Sequence, residues 1–153
     1  MKKITSFLIG VAMGGIGIAA IKRRDLQKAR KDAAKYLTLF RGINQYLVTK
    51  QMDKHIKTYF VENGMTKVAL YGMSHIAQRI IDDLSGSEIQ VVYGIDQRAD
   101  RITSDVKIYK PTESLPETDV IVVTAYDFDI IAEALQDKVE CPIISYEDIV
   151  FNL

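Results

Sequence analysis

Tryptophan is missing from this chain, cysteine occurs once, histidine twice and proline three times in 153 residues. A lone Cys141 excludes an internal disulfide. Set beside Pro142-Ile143-Ile144, it reads as a small core residue. One cysteine and two separated histidines leave no ligand set for zinc, so no metal is expected. A net charge is missing too, with 20 basic and 20 acidic side chains. That balance conceals a division. Residues 1–67 carry fourteen basic and four acidic groups, and residues 68–153 carry six and sixteen, giving +10 and −10. A basic arm joined to an acidic domain points to an anionic partner for the arm. The plainer alternatives are a solvated helix or docking on its own acidic domain. Nucleic acid is not expected as that partner, because no recognition motif or aromatic-basic interleaving accompanies the charge.

What the chain does have begins at its N-terminus. Residues 4–21 form an 18-residue run without a charge. As a helix this run spans roughly 27 Å, close to the hydrocarbon thickness of a bilayer. Lys2 and Lys3 precede it, and Lys22-Arg23-Arg24 follow. A cleaved signal peptide is the competing reading. The dense positive charge after residue 21 resists export and marks a cytoplasmic side. The expectation is therefore an uncleaved anchor in membrane lipid, residues 1–21, with the rest of the chain in the cytoplasm. Gly10 and Gly14 have the small-xxx-small spacing that lets two helices approach closely, as in a homodimer. Glycine is also common in such helices, and the motif alone decides nothing.

Residues 22–64 read as a basic helical arm. Between residues 22 and 50 there is no proline and one glycine, Gly42. Tyr36, Phe40, Ile43 and Leu47 recur at steps of four, three and four, an apolar helical stripe that must bury against something. The choices are the α/β domain, a partner helix, or anionic lipid below the anchor. A second short helix is predicted over residues 53–62, with Asp53 as N-cap and Asn63-Gly64 as its end.

Residues 65–153 alternate strand and helix. Val68-Ala69-Leu70-Tyr71 is a short apolar run closed by Gly72. A helical pattern follows over 76–84, then strands over 89–95 and 107–109. Val120-Ile121-Val122-Val123-Thr124 is apolar throughout its first four residues, as central parallel strands are. A helix over 127–135, a strand over 142–145 and a short helix over 147–151 close the chain. This alternation implies a parallel sheet with right-handed crossovers. The expected fold is α/β, a Rossmann-like sheet of about five strands in the order 3-2-1-4-5.

The turn after the first strand is the candidate site. A dinucleotide fold places Gly-x-Gly-x-x-Gly there, for the tight turn, the pyrophosphate approach and close helix packing. These positions hold Gly72, Ser74 and Ala77. Gly72 fits and Ala77 is an accepted replacement. Ser74 adds a side chain where phosphate should approach, although its hydroxyl is a donor. Asp96, 24 residues after Gly72, ends the second strand, where an acidic residue accepts from ribose hydroxyls. His75 is the histidine beside this turn. Two features oppose a phosphate: the −10 domain charge and the carboxylates of Asp127 and Asp129 at a helix start, where Asp127 reads as an N-cap. No nucleophile with an orienting partner is evident, so catalysis is not expected.

The segments Lys67-Val-Ala-Leu-Tyr-Gly-Met-Ser-His-Ile-Ala77, Val91-Val-Tyr-Gly-Ile-Asp96, Val106-Lys-Ile-Tyr109 and Thr118-Asp-Val-Ile-Val-Val-Thr124 resemble the N-terminal Rossmann-like domains of bacterial surface-polysaccharide enzymes. These include sugar acyltransferases and membrane-bound nucleotide-sugar dehydratases. The resemblance covers roughly residues 60–150. It implies that Gly72, Ser74, His75 and Asp96 contact NAD(P) or a nucleotide-sugar, and that a glycan-synthesis enzyme is a partner. The chain departs from that pattern in lacking the second glycine and any catalytic domain after residue 153. Three functions follow as expectations. They are an accessory nucleotide- or nucleotide-sugar-binding domain on a membrane, a scaffold whose pocket is closed, and a small NAD(P)-dependent oxidoreductase.

Overall fold

A computed structural model describes the backbone from Lys2 to Leu153 and the side chains from residue 22 onward. Helix α1 (Lys2–Gln51) leads the chain. The chain divides into two compact units, Met1–Leu39 and Phe40–Leu153. Among the described residues, no helix is long and apolar enough to cross a membrane. The side chains of residues 4–21, where the span with Gly10 and Gly14 is expected, lie outside the described ones.

The second unit is an α/β sandwich around one sheet. The sheet contains β1 (Lys67–Tyr71), β2 (Gln90–Ile95), β3 (Ile108–Tyr109), β4 (Val120–Val123) and β5 (Ile143–Ser145). Its five strands lie in the order β3-β2-β1-β4-β5. Each neighbouring pair is parallel. The expected order 3-2-1-4-5 is therefore the observed one. Strand β1 sits centrally, with Val68 opposite Val120 on one side and Val91 on the other. Both β1 and β4 bury their apolar runs because helices cover the sheet. Ala69, Tyr93, Ile95, Ile121 and Leu135 form one core cluster. Tyr93 shows how a polar group enters it. Its ring is buried, its hydroxyl donates to the Pro116 carbonyl at 2.9 Å, and burial pushes its pKa up to about 12.

The crossovers are α3 (His75–Leu84) and α4 (Phe128–Leu135), and α5 (Tyr146–Asn152) closes the chain. Helix α3 buries Ile76, Ala77, Ile80 and Leu84, the face that its 3.6-residue period dictates. Helix α2 (Ile56–Glu62) packs on α3 and α5. Its anchors Ile56 and Phe60 are fully buried. This helix is shorter than predicted, and Asp53 does not cap it. Helix α1 runs to Gln51, and the chain reverses at once, with Asp53 in the left-handed region at φ 58°. A residue holding that turn cannot also be an extended N-cap. His55 takes the cap position and makes no side-chain capping bond.

The last turns of α1 belong to the α/β unit. Gly42 and Thr49 are buried. The Tyr46 ring lies 6.4 Å from that of Tyr146, and Lys50 pairs with Asp83 of α3. Burial, then the Asp83 carboxylate, raises the Tyr46 phenol pKa. The predicted stripe does not make this contact. Tyr36, Phe40, Ile43 and Leu47 are all exposed. The docked face instead carries Gly42, Tyr46 and Thr49, and the apolar stripe is carried on another face.

Candidate functional site: the crevice at the glycine loop

The four residues picked from the sequence come together at the C-terminal ends of β1 and β2, the side of a parallel sheet where ligands bind. Gly72 has φ +87°, and a Cβ there would lie 3.1 Å from the Ala125 Cβ. Only glycine meets both conditions without strain. Its amide donates to the Ile95 carbonyl at 2.8 Å, which ties the loop to the end of β2.

Ser74 is the N-cap of α3, and its hydroxyl accepts from the Ile76 amide at 3.2 Å. The side chain that departs from the glycine pattern therefore serves the helix. His75 opens α3 and is exposed. Asp96 is 8% exposed. One carboxylate oxygen accepts from the Met73 amide at 3.0 Å, and the other accepts from the Arg98 amide at 2.8 Å. Asp96 thus clasps the glycine loop to the turn after β2. Met73 completes the closure, because its sulfur occupies the space that a Cβ on Gly94 would need.

Sequence reasoning missed Thr124. It is buried, and its hydroxyl donates to the carbonyls of Tyr71 and Gly72. This bond fixes β1, the loop and the end of β4 as one piece. The available signal was a polar residue ending an otherwise apolar central strand. Asp127 stands at the N-cap of α4, the position expected for it, and makes no side-chain capping bond there. Asp129 lies in the first turn of that helix, where a carboxylate suits the dipole.

Beside the loop is an open groove of about 420 Å³, lined by Met73, Ser74, His75, Gln78, Arg98 and residues 102–104. It offers one guanidinium, one imidazole and the hydroxyls of Ser74, Thr103 and Ser104. Such a set can donate to phosphate or sugar oxygens. A larger hollow of about 600 Å³ lies at the opposite end of the sheet, bordered by Lys67, Asp119, Lys138 and Cys141. The Asp119 carboxylate there accepts from the amides of Thr66 and Lys67 at 2.7 and 2.8 Å. Those backbone bonds hold its pKa below the ordinary value. Cys141 is half-buried, and burial pushes its thiol pKa up, away from nucleophilic character. Among the described residues, no group of His, Cys, Asp and Glu could hold a metal ion.

Comparison with family models, with curated proteins and with solved structures finds no match to this chain.

Proposed function

We propose that this chain is a membrane-tethered, cytoplasm-facing accessory protein that acts by holding a partner, with a Rossmann-like domain whose phosphate loop is closed on itself. The carrying observation is the pair of bonds from Met73 and Arg98 to Asp96. The carboxylate suited to ribose hydroxyls is engaged by backbone, and so is a loop amide suited to phosphate. The apolar run over residues 4–21 and the basic residues after it support the tether. Resemblance to surface-polysaccharide domains supplies the proposed setting, glycan synthesis.

A second reading has its own observation. The groove beside Arg98, Ser74 and His75 is open and carries donors, which favours a nucleotide-sugar or NAD(P) there. Thermal unfolding of the full chain with UDP, UDP-sugars, NAD(H) and CoA separates the two. A saturating ligand at a hundredfold excess over Kd stabilises by about 2.7 kcal/mol. The partner-holding reading expects no shift with any of these. A shift with one of them replaces it by the second reading, and turnover of a nicotinamide cofactor would make the chain an oxidoreductase. Carbonate extraction tests the tether: the chain is expected in the membrane pellet, and release into the supernatant refutes a spanning helix.

A further inference from the structure

Helix α1 leaves Tyr36, Phe40, Ile43 and Leu47 exposed at 70%, 66%, 43% and 54%. The pattern is longer than these four. Stepping back from Tyr36 by three and four residues reaches Ala33, Ala29 and Leu26, all exposed. Apolar side chains therefore alternate at three and four from residue 26 to residue 47 without a break. A sustained 3.5-residue spacing over three heptads is the pattern of a coiled-coil seam. Leu26, Ala33, Phe40 and Leu47 take the a positions, and Ala29, Tyr36 and Ile43 take d. The residues that α1 turns to the α/β unit are different ones. Gly42 and Thr49 fall at c and Tyr46 at g, while Lys50, at the next d, pairs with Asp83, so docking ends the seam after Leu47 and leaves its a and d residues from 26 to 47 exposed.

We propose that α1 pairs along this seam with α1 of a second copy of this chain, as a parallel, in-register coiled coil over residues 26–47. Charge selects the occupant. Arg23 and Arg30 fall at e, and Asp25 and Asp32 fall at g. In a parallel pair, g faces e of the following heptad across the seam. Asp25 of each chain then meets Arg30 of the other, twice per dimer. An antiparallel pair sets e against e and g against g. Here the e positions are basic or neutral and the g positions acidic or neutral, so that arrangement offers no opposite-charge contact. A lipid-facing stripe would carry cations on both flanks, whereas Asp25 and Asp32 occupy one flank of this one. The parallel order also suits two chains tethered by their N-termini to one membrane. This inference rests on the partner-holding reading and names the partner. A ligand-induced shift would overturn that reading and leave the dimer, and a monomer would overturn the dimer and leave the closed loop.

The test uses the full chain in detergent micelles. Single cysteines replace Ala29, Ala33 or Lys31 in a Cys141→Ser background, and the samples are oxidised with copper phenanthroline. Disulfide dimers are expected from Ala29→Cys and Ala33→Cys and not from Lys31→Cys, which sits at f. No cross-link at 29 and 33, or equal cross-linking at all three sites, overturns the seam. Light scattering corrected for detergent should give a dimer for the parent chain. Phe40→Glu with Ile43→Glu should give a monomer whose α/β unit still melts cooperatively, and a dimer persisting in that variant overturns the proposal. Asp25→Arg should weaken the dimer roughly tenfold at low salt, about 1.4 kcal/mol. Adding Arg30→Glu should restore it, and a double variant as weak as the single one overturns the parallel register. A monomer whose position 40 becomes shielded only on adding anionic vesicles assigns the seam to lipid and overturns the dimer.

Discussion

Asp96 belongs to the loop before it can belong to a ligand. An acidic residue at the end of a second parallel strand suits a ribose, and in sequence its two uses look the same, because both need a carboxylate at one place. The structure shows the structural use, with the Met73 and Arg98 amides each donating to one oxygen. Asp96→Ala removes the acceptor from two amides at once. Unfolding in urea should show a loss of about 1–3 kcal/mol, with hydrogen exchange accelerated at Met73 and Arg98. A purely ligand-binding carboxylate would leave both unchanged. Asp119 gives the pH counterpart. Its folded pKa is depressed by the Lys67 and Thr66 amides, so the stability it contributes is complete above the unfolded value, about 3.9. It is lost as the pH falls through the lower folded value. Asp119→Asn should therefore be less stable at pH 7 and lose less on acidification to pH about 3, read from urea midpoints at the two pH values. An acid response equal to the parent's would show that the depressed pKa does not stabilise the fold.

Among the elements, the strands were the most legible and the helical arm the least. Val68–Tyr71 and Val120–Val123 are apolar runs too short for helices, and their alternation with helices leaves few topologies. The stripe on α1 was legible as a stripe, but a period does not name the surface that covers it. The face docked on the α/β unit carries Gly42, Tyr46 and Thr49 with Lys50 beside them, a mixture no hydrophobic pattern reveals. Gly42 suggests a close backbone approach, yet a Cβ there would sit 3.5 Å from the Tyr146 ring and 3.7 Å from the Glu147 Cγ. These are ordinary contacts. Gly42→Ala should therefore stabilise by about 0.5–1 kcal/mol through helix propensity alone, read as a raised urea midpoint. A loss of stability would mean that α1 lies closer to α5 than those distances allow.

At the scale of the whole molecule, the sequence division at residue 65 and the physical one do not coincide. Strands begin at Lys67, but the compact unit begins at Phe40. Phe60 and Ile56, at 0% and 1% exposure, are core residues that precede the first strand. Each withdraws an apolar side chain from water, for about 1.5–3 kcal/mol. Removing the segment also uncovers the residues of α3 and α5 packed on α2. Lys50 goes with it, leaving Asp83, already with one buried oxygen unpartnered, without its cation. Against a total stability of about 5–15 kcal/mol for a domain, these losses together are large enough to decide folding. A fragment of residues 40–153 should unfold cooperatively on heating, and a fragment of residues 65–153, with every strand present, should show no cooperative transition by circular dichroism. If the shorter fragment melts like the longer one, α2 and the end of α1 ornament the sheet; if it does not, the domain needs the helices that precede its first strand.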